Sequence, residues 1–560
     1  MFTAGWGKRE ILIQPNGLAM FGYGSWTHRA EQKRTALFAR SLCVKQHKKP
    51  WLIFCCLDLG CITSAIRLSA VTALEQQLGT DFNSDQLLLT ATHTHSGPGG
   101  CAYEVLYNIP TQGFIPEHVE AITRAIVASI TAAITQAKPT TIQASTTFFS
   151  EDIDVAWNRS ILAYNLNPDV NQIANDQTHL ALDREMQVLG FYREQKLHAV
   201  LSLFGVHGTC LGNTLNAHDG DNKGYAALDV EERLIKQGVT EPVAIFAQAS
   251  AGDVSPHYHG PGQSKKRKQI KGEKEYVYAK QNGLRQSQLL LQSLNQPQIE
   301  LLGEIKANFN YFDFSGILVD AEFAHGRDHA YTSAPCWGAP FFAGTPVDGL
   351  GAAKPIVFAM SLIADYIKHR RLKQKNTQYL ALYQSQGVKK IVLEARPQLI
   401  LGRKLHQIPQ HLDPLVSEIN RQVRNGGVKD SLLAPEVLPL QLLQIGQLVL
   451  VCCPGEITTV AAKRLKETVQ QYLNDQEKMV WLVSYCNDYM GYITTYEEYQ
   501  QQNYEGGHTL YGQWTLAAMQ TKFKQLTQQL VQGETQLNPI GLQPTLPPAS
   551  ELAKRTYTLK

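Results

Sequence analysis

The sequence contains no run of 18 or more apolar residues, and its start carries no basic segment followed by an apolar one. The first absence predicts no membrane-spanning helix. From the second, no signal peptide is expected. The longest apolar candidate, 121–137, is interrupted by Arg124 and several threonines. Charge of one sign is also lacking: 52 Lys and Arg face 49 Asp and Glu, a net +3, so no nucleic-acid partner is expected. Ten cysteines are present, but no pair has the spacing of a zinc finger. Several sit inside apolar runs, as buried free thiols do. A reducing, cytoplasmic location is the expectation, with leaderless secretion as the other route. There is no G-x-S-x-G nucleophile elbow and no internal repeat.

What is present describes a globular chain: 44% hydrophobic and 18% charged residues over 560 positions. Residues 51–58 (WLIFCCLD), 87–92, 199–206 and 243–247 read as buried strands. Residues 64–78 have helical spacing. Pro116 opens a second helix, whose Ile122, Ile126, Ile130 and Ile134 form a ladder on one face. Strands alternating with helices over the first 250 residues indicate an α/β protein. Residues 1–30 are Gly-rich and read as loops with short strands. Residues 257–280 read as a polar insertion, and 365–440 as a polar stretch without a clear period. Strands return at 448–453 and 479–485, and a last amphipathic helix covers 514–531. The expected organisation is one unit over 1–535 and a Pro-containing tail, 536–560, strapped to the surface.

Three strand ends carry groups able to do chemistry. Residues 87–100, LLLTATHTHSGPGG, run an apolar strand into His93 and His95 and then into a Gly-rich loop. Residues two apart in a strand point to the same side, so the two imidazoles leave a rigid strand together. Alone, the pair equally suits turn histidines bonded to backbone. A second apolar run ends at His207, and a third, 448–453, leads to Glu456. Open α/β sheets build their sites at such ends. Two His and one Glu match a common catalytic zinc set that leaves a position for water. Ser255, in AGDVSP (251–256), is a candidate nucleophile and equally a turn residue. Residues 485–512 place seven tyrosines around Glu497, Glu498 and Glu505, which suits plain packing, metal ligation or hydrogen-bond donation.

Taken together, THTHSGPGG (92–100), NRS with AY four residues on (158–164), VHGT (206–209), DNKGYA (221–226), AGDVSP (251–256), FAGTPVDGLG (342–351), PGEITT (454–459) and the run 487–512 resemble the catalytic domain of neutral ceramidases. The pieces occur in that family's order across most of 1–530. The resemblance implies an α/β fold with mixed sheets flanked by helices and one zinc ion. It implies hydrolysis of the amide bond of ceramide, or a related long-chain N-acyl lipid, by attack of zinc-bound water, releasing a fatty acid and a sphingoid amine. It assigns His93, His207, Glu456 and Tyr492 as zinc ligands, and His95, Arg159 and Tyr504 as groups that contact and polarise the substrate. The family's secreted members carry a C-terminal immunoglobulin-like domain, which this chain is expected to lack. No cysteine lies between Cys336 and Cys452, so the family's disulfide at the former is not expected. His257 stands where the family has Asn. Two other readings stay open: a serine amidase using Ser255, and a lipid-binding protein without activity. The tyrosine-rich segment with Trp337, Phe341 and Phe342 is expected to wall an apolar trench. The basic run 265–268 reads as a solvated loop or, if it stands near the trench mouth, as a patch for peripheral contact with anionic membrane surfaces.

Overall fold

The computed structural model describes residues 2–47, 49–349, 351–407, 414–533 and 541–558. Two sheets are stacked, with helices on their outer faces. The larger sheet runs in the order Val243–Ala247, Lys196–Leu203, Glu185–Arg193, Lys138–Phe148, Phe2–Glu10, Phe38–Lys45, Leu52–Leu57, Leu87–Ala91. Its first and last pairs are parallel and the rest antiparallel. The smaller sheet has Ile305–Asp313, Val437–Ile445, Leu448–Cys452 and Met479–Val483, the last pair parallel. The expected mixed sheets with flanking helices are therefore observed.

Side-chain alternation explains the layering. Leu52, Phe54 and Cys56 face one way and pack with Leu443, Leu450 and Trp481 of the smaller sheet. Ile53, Cys55 and Leu57 face the other way, against the helices Ser64–Leu78 and Pro116–Thr135. Val449 and Val451 turn from the sheet interface toward the helices Thr459–Leu473 and Thr515–Gln532. A period of two with both faces apolar is what a sheet buried on both sides requires. The isoleucine ladder behaves as expected: Ile122, Ile126 and Ile130 are buried and Ile134 is half-buried. All ten cysteines are free and buried.

Several expectations need correction. Within 1–30, Phe2–Glu10 is a central strand of the larger sheet. Its glycines mark close packing. A Cβ on Gly5 or Gly7 would lie 1.8 or 2.1 Å from carbonyl oxygens of the helix Pro116–Thr135. The insertion 257–280 is shorter than expected, because a helix, Glu273–Ser293, begins inside it. The stretch 365–440 holds the end of the helix Lys354–Lys373, the helices Thr377–Gln386 and Pro414–Arg424, and the strand Ile391–Glu394. Its first helix shows no period because Lys354–Lys373 buries only Ala364 and Arg371. The strand expected over 199–206 is Lys196–Leu203, so residues 204–206 already belong to the loop that carries His207.

The expected boundary at 535 lies outside the described residues. Beyond it, the helix Ala549–Lys554 docks on the body of the fold. The Glu551 carboxylate accepts from the Asp430 and Ser431 N–H groups, and Arg555 donates to the Tyr103 carbonyl at 2.5 Å.

Core packing sets the expected cost of mutation. Leu450→Ala, in the sheet interface, should lower stability by about 2–5 kcal/mol in urea unfolding. The exposed Leu380→Ala should stay within about 0.5 kcal/mol. Equal effects would contradict the layering.

Candidate metal centre

The larger sheet brings the chain leaving its last strand against the chain leaving its second strand. Past Leu87–Ala91 and Lys196–Leu203, the chain pairs again through a bridge between Thr94 and Gly208, and His95 N–H donates to Gly208 O at 3.1 Å. A Cβ at Gly208 would sit 2.3 Å from the His93 carbonyl oxygen, so only glycine permits this approach. His93 itself has φ 63°, a left-handed conformation that costs a non-glycine residue about 1–3 kcal/mol. The smaller sheet supplies the other half. Glu456 follows Leu448–Cys452 and pairs in register with Tyr492, which follows Met479–Val483.

The side chains converge. His207 Nε2 lies 2.9 Å from Glu456 Oε2 and 3.2 Å from the Tyr492 hydroxyl. His93 Nε2 lies 3.4 Å from the same carboxylate oxygen. Both rings are oriented through their other nitrogen: His93 Nδ1 donates to Gly60 O at 2.5 Å, and His207 Nδ1 to Val254 O at 3.1 Å. This tautomer leaves both Nε2 atoms as bare lone pairs facing a carboxylate. Such a set is complete only with a cation among its members. Donor separations of 2.9, 3.2 and 3.4 Å lie at or a few tenths of an ångström inside the edges, about 3.3–3.6 Å, of a tetrahedron with bonds of about 2.0–2.2 Å. His93, His207 and Glu456 form the single group of three or more His, Cys, Asp or Glu among the described residues that is arranged to hold a metal ion.

A ring of tyrosines supports this set. Tyr485 stacks on His93 at 4.2 Å between ring centres. Tyr489 donates to Glu456 Oε1, and Tyr485 lies 3.4 Å from Oε2. Burial, with Glu456, pushes the Tyr492 hydroxyl up, while Arg159 pulls it down.

His95 stands beside the donors, its Nε2 3.2 Å from His93 Nε2 and its buried Nδ1 without a partner. Burial keeps it neutral, well below the ordinary histidine pKa. Arg159 is tied on all sides: to Glu505 at 2.9 Å, Asp348 at 3.1 Å, Gly252 O at 2.9 Å and the Tyr492 hydroxyl at 2.9 Å. Tyr504 meets the Tyr492 ring edge-on at 5.4 Å. No hydrogen bond ties its hydroxyl to a described residue.

All seven candidate residues thus lie in one cluster. Tyr485, Tyr489 and Asp348 were not singled out from the sequence. Tyrosine density was the one signal for the first two, and an isolated Asp in a Gly-rich loop gives none. Ser255 lies elsewhere in the network: it is fully buried, donates to Asp348 at 2.7 Å and accepts from the His257 N–H. Trp337 corrects another expectation. It is 1% exposed within the core and walls no trench, whereas the half-buried Phe341 packs on Tyr504 and His508.

The sequence matches the N-terminal part of the neutral/alkaline non-lysosomal ceramidases over residues 2–397 and 423–521. The chain belongs to this family. It is 30% identical over 529 residues to the neutral ceramidase of Pseudomonas aeruginosa, covering 93% of this chain and 71% of that protein. A Mycobacterium tuberculosis neutral ceramidase is 28% identical over 540 residues, covering 95% and 78%. The crystal structure of the Pseudomonas aeruginosa neutral ceramidase superposes with a TM-score of 0.76 at 28% identity, covering 96% of this chain and 75% of that one. A ceramidase complexed with C2 gives 0.78 at 27% identity, covering 97% and 78%. The ceramidase fold is thus shared across both sheets and the residues between them.

Purified protein is expected to carry one transition-metal ion per chain by elemental analysis. Glu456→Ala should lose most of it. Full occupancy in a His93→Ala, Glu456→Ala double variant would refute the assignment.

Proposed function

We propose that this ceramidase-family chain is a zinc-dependent hydrolase. It cleaves the amide bond of ceramide or a related long-chain N-acyl lipid, giving a fatty acid and a sphingoid amine. The observation that carries the proposal is the buried donor set itself: two imidazoles fixed in the tautomer that exposes Nε2, one carboxylate and one phenol. In our reading, His93, His207, Glu456 and Tyr492 hold the ion. Nitrogen, carboxylate and phenol donors suit zinc, which takes four such ligands readily. When bound, zinc supplies Lewis acidity, polarising a carbonyl and bringing the pKa of water to about 7.

The remaining residues have separable tasks. Neutral His95 accepts a proton during attack and returns it to the leaving amine nitrogen. The untied Tyr504 hydroxyl donates to the amide oxygen as negative charge develops there. Arg159 donates to the Tyr492 oxygen and favours its ionised form. This is the task its bonds support, because most of its donors are already used within the protein. Ser255 is a structural residue in this reading: its hydroxyl is held by Asp348, and no imidazole nitrogen is bonded to it.

Incubation with zinc and a panel of N-acyl amides should release fatty acid faster from long-chain sphingoid amides than from short acyl amino acids. Cleavage of short amides alone would overturn the ceramide reading. Tyr504→Phe should lower kcat by about 10²–10³-fold with metal content unchanged. Ser255→Ala should keep activity that chelators remove, and an acyl adduct on Ser255 in mass spectra would favour a serine mechanism instead.

A further inference from the structure

The helix Lys354–Lys373 has an outer face that no part of the described chain covers. Ile356 is 52% exposed, Phe358 65%, Leu362 55%, Ile363 45% and Tyr366 67%. Phe358, Leu362 and Tyr366 are spaced by four, so they form one stripe along the first three turns. A soluble surface rarely leaves so many large apolar side chains contiguous. On the same side the last turn is basic, with His369, Arg370 and Lys373 exposed. The inner face is anchored: Arg371 donates to Glu394 at 2.7 Å, and Lys368 donates to Gly387 O.

The helix is joined to the candidate site by a short segment. Phe341 and Phe342 stand at its beginning, the first against Tyr504. Asp348 reaches in to Arg159 and Ser255, and Ala352 N–H then donates to Phe342 O at 2.6 Å just before the helix begins. The exposed apolar stripe therefore starts at Ile356, four residues after Ala352, whose backbone is bonded to that of Phe342.

We propose that Lys354–Lys373 is an interfacial helix that lies on a lipid bilayer bearing anionic headgroups and brings the site against it. Apolar side chains enter the acyl boundary, and the basic turn pairs with the headgroups. The helix lies on the bilayer without crossing it, since no helix among the described residues is long and apolar enough to cross. Charge complementarity selects the anionic surface. The basic run 265–268 is a poorer anchor: Arg267 is bonded to Glu275 at 2.8 Å, and no large apolar side chain is exposed beside it. The inference rests on the reading of the substrate as a lipid.

The test is flotation of the whole protein with vesicles of phosphatidylcholine alone, or mixed with phosphatidylserine, in both cases free of ceramide. Binding is expected to the mixed vesicles and to fall with added salt. Phe358→Ser, Leu362→Ser, Tyr366→Ser together should weaken it by about a hundredfold or more. Arg370→Gln, Lys373→Gln should remove the preference for phosphatidylserine. Both variants should keep wild-type kcat/KM on a water-soluble N-acyl amide while losing rate on the same amide bond embedded in vesicles. Unchanged vesicle binding in the triple serine variant overturns the proposal. So does sedimentation showing a dimer that the triple variant abolishes, which would make a second copy the occupant of this face. Because binding is measured without substrate, failure of vesicle docking and failure of amide hydrolysis are separate results.

Discussion

Two histidine side chains, each donating its Nδ1 proton to a backbone carbonyl, set the character of the centre. That donation fixes the tautomer, and the tautomer decides that what faces inward is a pair of lone pairs. Beside a carboxylate, such a pair is electrostatically incomplete. The surrounding structure is best understood as the apparatus that keeps this incompleteness in place. Gly208 lets two strand ends touch, Gly60 and Val254 offer carbonyls at the right positions, Tyr485 stacks on His93, and Tyr489 donates to Glu456.

Two sheets are needed because no single edge can supply all the donors. One sheet contributes both imidazoles, from the chain leaving its last strand and its second strand. The other contributes Glu456 and Tyr492 as paired residues on adjacent short strands. The interface between the sheets, with Phe54, Leu450 and Trp481, therefore positions the ligands as well as stabilising the chain. A shift between the layers would separate nitrogen from oxygen donors before it exposed much apolar surface.

Much of this was legible in the sequence. His93, His207 and Glu456 each follow an apolar run, and a buried strand is rigid enough for its end to mark a location. The helix 64–78 and the strand 243–247 have the predicted bounds. Other parts were hidden for physical reasons. Gly5 and Gly7 look like loop residues unless the helix lying on them is known. Asp348 and Tyr489 act through partners 189 and 33 residues away, distances over which local pattern carries no information. Lys354–Lys373 buries so little of itself that it leaves no amphipathic signature of the usual kind.

The ten buried thiols have a consequence of their own. Burial pushes Cys55 up to about 11 and Cys101 up to about 12, so in the native fold these two present almost no thiolate at neutral pH. A thiol reagent added to the folded protein must wait for an opening. Cys43, Cys55 and Cys56 lie on the strands of the larger sheet, and Cys452 on a strand of the smaller one. Their labelling rates therefore form an intrinsic clock, one hand for each sheet, for how often each layer breathes.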